Sequence, residues 1–259
     1  MEKRKLLAPT LCVKGIKVLG DVMSICKHKW ERLQDTICCE HYKCELCDAI
    51  KKTSICDFHT KISHTYIGKE YFVSSKIGNF KDDIPLNKQY INELEFALNE
   101  FNFNRDSKYL RTVIEIGAGI GRLIPMFLKN GFDYTGLEYN EWAVRYMENA
   151  YDVKVIKEDF MKLNLDKKYN LVVCIHTLEH FKDADVAFEK LCNLVTPYGY
   201  LLIEVPHRKD LYNPDHYWFF DKAVLYNWAD LNDFEVIGYL QKKVIEREDY
   251  IYCLMKRGK

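Results

Sequence analysis

The chain has 259 residues, 48% hydrophobic and 29% charged, the composition of an ordinary globular protein of one or two domains, which excludes disorder and collagen-like order. Lys+Arg and Asp+Glu both number 38, so no net field draws the molecule to nucleic acid or to an anionic membrane, and both are disfavoured as partners. No run of 18 apolar residues occurs, and the opening MEKRKLL lacks the apolar core of a signal peptide, so the expected compartment is the cytoplasm.

Residues 1–86 show no strong period and hold seven of the ten cysteines: Cys12, Cys26, Cys38, Cys39, Cys44, Cys47 and Cys56. In a reducing compartment a disulfide framework is the weaker reading. Cys44-x2-Cys47-x8-Cys56-x2-His59 has the paired short spacings of a tetrahedral zinc site, with Cys39 as an alternative fourth ligand. The competing reading is a cap over the rest of the molecule in which these are buried apolar thiols. The expected division is a cysteine-rich cap at 1–86 and one larger domain at 87–259.

Ile91, Leu94, Leu98 and Phe101 recur at helical spacing and predict one amphipathic helix ahead of that domain. From Thr112 onward β-rich runs alternate with helical segments. Strands are expected near 112–117, 133–138, 153–157, 169–175 and 199–205, with helices near 120–130, 141–150 and 184–195. Beyond Pro206 come a helix near 221–231 and strands near 233–240 and 249–256. The alternation predicts an α/β fold with a mostly parallel sheet, and the last two strands an antiparallel C-terminal hairpin.

Glu115-Ile-Gly-Ala-Gly-Ile-Gly121 follows the first of these strands and opens a helix, so its glycines permit a sharp turn and close approach to a ligand. Glu138 ends the second strand, where an acid accepts from a ribose diol. Glu115 just before the loop would repel a pyrophosphate but suits a ligand with a cationic amino group, which argues against a nicotinamide dinucleotide. Asp159 and Phe160 follow the third strand, an acceptor for an adenine amino group and a ring to stack on it.

Residues 112 to about 205 thus resemble the class I S-adenosylmethionine-dependent methyltransferases, among them the ubiquinone-pathway O-methyltransferases. The resemblance implies a Rossmann-like, doubly wound, seven-stranded sheet and S-adenosylmethionine as cofactor. It also implies that Glu115, Gly117, Ala118, Gly119 and Gly121 line the methionine end, that Glu138 with Tyr139 holds the ribose, and that Asp159 and Phe160 flank the adenine. Ile175 and His176 would lie under the sulfonium.

After the fourth strand come His176-Thr-Leu-Glu179-His180. The string matches an inverted zinc-protease motif, but that motif needs a helix and this copy begins at a strand end. In the relatives it resembles, an E-x-x-E-H arrangement holds a divalent metal; here His176 replaces the first acid, so a divalent metal at the transfer site stays an open question. Mg²⁺ would find one hard oxygen ligand, which tips the expectation toward a metal-free base. His180, His216, His207 and Glu179 are the catalytic candidates, and Arg208 is a candidate for an anionic acceptor group. The bland reading makes Tyr217, Trp218, Phe219 and Phe220 core and the histidines their rim.

The expected activity is therefore methylation of the oxygen of a small polar acceptor: a sugar, a nucleotide-linked or a phosphate-bearing intermediate. Alternatives are C- or N-methylation of a sugar intermediate and a non-catalytic module that retains the fold. The residues do not indicate an oligomeric state.

Overall fold

The computed structural model describes residues 30–35, 40–45, 49–52, 92, 94–96, 98–99, 112–207, 216–242 and 250–259. Four strands, β4 (Thr112–Ile116), β5 (Asp133–Glu138), β6 (Lys154–Lys157) and β7 (Tyr169–Ile175), run parallel and are joined to a fifth parallel strand, β8 (Val195–Pro206). β10 (Phe234–Lys242) and β11 (Tyr250–Arg257) form the antiparallel hairpin, which packs against β8. The order is β10-β11-β8-β7-β4-β5-β6. The chain starts at the centre, moves outward through β5 and β6, then crosses to β7 on the other side of β4. That reversal opens a crevice beyond the ends of β4 and β7, where doubly wound sheets bind ligands.

The strands alternate faces with period two. Val113, Leu171, Val173, Leu202 and Leu254 point to one layer and pack with α1 (Ile124–Lys129) and with Leu94 and Leu98, from the helical residues among 92–99. Ile114, Ile116, Val172, Cys174, Leu201 and Ile203 point to the other, under α3 (Ala184–Asn193) and α4 (Lys222–Leu231). Both faces are buried, so the strands read as nearly continuous apolar runs. Local signals set the helix starts: Asn140 caps α2 (Glu141–Tyr151) by accepting from Trp142 N and Ala143 N, and Asp221 caps α4 by accepting from Val224 N.

α1 begins at Ile124 rather than near 120, because Gly117, Gly119 and Gly121 all take positive φ and the chain turns through residue 123 before Pro125 opens the helix. β8 starts four residues early: Val195 pairs with Tyr169, and the register shifts before Tyr200, next to Tyr198 at φ 60°.

A second sheet was not expected from the sequence. β1 (Trp30–Asp35), β2 (Glu40–Cys44), β3 (Ile50–Lys52) and β9 (Trp218–Phe219) pair in that order, all antiparallel. Its N-terminal strands are short and rich in Lys and Glu, so no apolar alternation announces them. β9 supplies both the edge that β3 needs and an anchor, since Trp218 and Phe220 meet Trp228 edge-on at 5.4 and 5.6 Å, with Phe188 at 5.4 Å. Among the described residues no helix is long and apolar enough to cross a membrane.

Trp228, fully buried at the junction of the two sheets, is the packing hinge of this arrangement. Trp228→Ala is expected to cost about 3–5 kcal/mol in urea unfolding; a loss below about 1 kcal/mol would show that the junction repacks.

Candidate active site

The glycine loop is held from two sides. Gly117 N and Ala118 N donate to Leu137 O at 2.9 and 3.1 Å, tying the loop to the end of β5. On the other side a Cβ on Gly117 would lie 2.2 Å from Thr177 Oγ1, which donates to Ile175 O at 2.9 Å. The loops after β4 and β7 therefore touch at the switch point, and only glycine fits at 117, on grounds of both space and φ.

Glu138, buried, accepts from Gly119 N and Asn140 N, both at 2.9 Å. Burial raises its pKa, and these backbone N–H groups oppose the rise. A carboxylate has further lone pairs, so the group retains acceptor capacity for ligand hydroxyls. Glu115, also buried, accepts from Tyr134 Oη at 2.5 Å. Burial pushes it up to about 8, with the Tyr134 bond acting against the rise and the Glu138 charge adding to it. Glu115 is thus mainly protonated near neutral pH. Tyr139 is exposed. Asp159, partly exposed, accepts from Met161 N at 2.9 Å and lies 3.7 Å from Lys162 Nζ. Phe160 is packed in the core against Phe181, with Lys190 over its ring.

Beyond Ile175 the chain makes a strained turn. His176 sits at φ 46°, its N–H donating to Glu204 O at 3.0 Å. Its ring lies between two buried carboxylates, with Nε2 3.1 Å from Glu204 Oε1 and Nδ1 3.5 Å from Glu179 Oε1, and with Tyr250 edge-on at 4.6 Å. Burial disfavours the charged ring, yet the two acids outweigh it and hold the imidazole up to about 10. His176 is an imidazolium.

Glu179, in the 3-10 turn Leu178–His180, is completely buried, and neither oxygen accepts a hydrogen bond within the described residues. Burial would raise its pKa, but His176, His180 and His216 surround it and hold it below the usual range. His180 Nε2 and His216 Nε2 lie 3.8 and 3.9 Å from Glu179 Oε1, and the two rings meet edge-on at 5.0 Å. Burial drives His216 down to about 4, with Glu179 opposing and His180, His176 and Lys52 adding to the drop. It is neutral at neutral pH.

The structure thus gathers Glu179, His180 and His216. His207, the residue after β8, forms an isolated parallel bridge with Phe220 and is not in that donor group. Arg208 lies outside the described residues, as do Cys47, Cys56 and His59; Cys44 is a buried thiol in the main core with Ala49. Glu204 was missed in the sequence, although an acid inside the apolar run LLIEVP of a central strand is a readable signal. Tyr134 and Tyr250 carried none.

The donor atoms of Glu179, His180 and His216 all lie within 4.8 Å of one another. One carboxylate and two imidazoles fit a borderline divalent ion such as Zn²⁺ better than Mg²⁺.

A methyltransferase domain family matches residues 86–242. The ubiquinone biosynthesis O-methyltransferase of Rickettsia bellii is 24% identical over 153 residues, 57% of this chain and 60% of that protein. The (S)-tetrahydroprotoberberine N-methyltransferase of Eschscholzia californica is 28% identical over 134 residues, 48% of this chain and 37% of its own. The chain therefore spans at most about six tenths of the length of these two relatives. In fold, it is similar to magnesium protoporphyrin IX methyltransferase from Synechocystis with bound SAH, at TM-score 0.60 and 16% identity, covering 78% of this chain and 100% of that one. The family match covers more than half of the sequence, and together with the strand order and the glycine loop it places this chain in the methyltransferase domain family, as a class I S-adenosylmethionine-dependent member.

Proposed function

We propose that the protein methylates an oxygen of a small polar acceptor, such as a sugar, a nucleotide-linked or a phosphate-bearing intermediate, with S-adenosylmethionine as donor. The observation that carries this reading is the juxtaposition, at one switch point, of a loop backed by Glu115 and Glu138 with the Glu179–His180–His216 cluster after β7. The bound donor supplies a methyl group on a cationic sulfur, whose displacement leaves a neutral thioether.

In this reading Glu138 accepts from the ribose hydroxyls, Asp159 from the adenine amino group, and Glu115 pairs with the amino group of the methionine end. The close approach of Thr177 to Gly117 holds the glycine loop against the turn that carries the cluster, and such positioning of donor-binding loop and cluster would supply much of the rate. His216, neutral and set against Glu179, takes the acceptor proton as the oxygen attacks, and the Glu179 carboxylate stabilises the imidazolium that forms. His180, half-exposed beside it, lies on the solvent side of the cluster.

A second reading is favoured by one observation, the convergence of the Glu179, His180 and His216 donor atoms within 4.8 Å of one another. Glu179, His180 and His216 would then hold a borderline divalent ion, which polarises an acceptor oxygen and lowers its pKa.

Glu138→Ala removes the acceptor for both ribose hydroxyls and for Gly119 N–H. Affinity for S-adenosylmethionine by calorimetry is expected to fall about tenfold or more, each such bond being worth about 1 kcal/mol; unchanged affinity would move the ribose site elsewhere. For the transfer step, methyl uptake is expected to survive exhaustive EDTA treatment and to drop by roughly two to four orders of magnitude in His216→Ala. Loss on chelation with recovery on Zn²⁺ or Mn²⁺ would establish the metal reading instead.

A further inference from the structure

Tyr134 and Gly136 lie two residues apart on one face of β5, opposite Val113 and Glu115 of β4. The Tyr134 ring is buried and tilted against Phe127 of α1, with centroids 5.9 Å apart. From there the ring leans along the strand: a Cβ on Gly136 would lie 3.4 Å from both Tyr134 Cε1 and Tyr134 Oη, and 3.5 Å from Ala118 Cβ in the glycine loop. The strand glycine therefore leaves a slot beside the loop, through which the hydroxyl crosses diagonally to Glu115 Oε2 at 2.5 Å.

The bond does more than join two buried groups. Burial and the adjoining Glu115 push the Tyr134 phenol well above its ordinary range, so its O–H stays a donor. A donor aimed at a carboxyl group favours the ionised form, and here it opposes the rise that burial imposes on Glu115, while the Glu138 charge adds to that rise. An ammonium needs Glu115 as a carboxylate, and a carboxylate has lone pairs beyond the one that the phenol occupies.

We propose that Tyr134, seated in the Gly136 slot, is a positioning residue of the cofactor site: its hydroxyl holds the Glu115 carboxylate for the amino group of S-adenosylmethionine and so selects ligands that carry the amino-acid arm. The proposal rests on the assignment of Glu115 to the methionine end. Tyr134 touches no ligand itself and acts through Glu115.

The test is calorimetric titration of the full chain with S-adenosylhomocysteine and with 5′-methylthioadenosine, which share the nucleoside and a neutral sulfur and differ in the amino-acid arm. Tyr134→Phe keeps the ring and removes the hydroxyl. S-adenosylhomocysteine is expected to bind it about five- to tenfold more weakly, and 5′-methylthioadenosine as it binds the wild type, whereas a merely structural role would move both. Glu115→Gln should show the same selective loss, and adding Tyr134→Phe to it should change little more, since the hydroxyl acts through the carboxylate. Equal losses for the two ligands in Tyr134→Phe, or no loss, overturn the role of Tyr134. No selective loss in Glu115→Gln overturns the assignment of Glu115 and the proposal with it. Wild-type protein that binds neither S-adenosylhomocysteine nor S-adenosylmethionine overturns the methyltransferase reading. Should Tyr134→Phe fail to fold, Gly136→Ala, which crowds the hydroxyl without removing it, is expected to weaken S-adenosylhomocysteine alone; unchanged binding there overturns the proposal.

Discussion

Four carboxylates, Glu115, Glu138, Glu179 and Glu204, are buried at the end of one parallel sheet where its ligand crevice opens. Burying even one unpaired carboxylate costs several kcal/mol, so this end of the molecule can exist only if each is answered. The answers differ. Glu115 keeps a proton and a bond from Tyr134, Glu138 takes backbone N–H groups from the glycine loop and the α2 cap, and Glu204 and Glu179 share the His176 imidazolium.

Each answer also fixes geometry. The Glu138 bonds join the loop after β4 to the start of α2, so the glycine loop and the α2 cap are set by a single side chain. His176 is held in a left-handed conformation that few non-glycine residues adopt, and its two ion pairs and the Glu204 backbone bond hold it there. That strained turn delivers Glu179 and His180 to the crevice. An acid-lined crevice with one protonated carboxylate is matched to a ligand that brings its own positive charge, as S-adenosylmethionine does at sulfur and at its amino group.

The sheet was legible because its strands are apolar and its helices amphipathic; TVIEIG, YNLVVCI and GYLLIEV could hardly be surface segments. Glu138 and the glycines were legible because backbone conformation and hydrogen bonding demand those residue types at those places. The second sheet was not, since WERLQD and IKK acquire their pairing from β9, far along the chain, and nothing local signals it. For the same reason nothing local signalled that Lys52 would be buried. The His176 substitution was visible, but its consequence needed Glu204, whose side chain comes from a strand 28 residues later.

If the strand-end acids accept a cationic cofactor, the titration of Glu115 carries the signature. Calorimetric titration with S-adenosylmethionine near neutral pH, in two buffers of different protonation enthalpy, reads both affinity and proton exchange. The ammonium of the ligand should ionise Glu115, so binding is expected to release up to about one proton, a release absent in Glu115→Gln. No binding at millimolar ligand, or a binding enthalpy identical in the two buffers, would contradict the account.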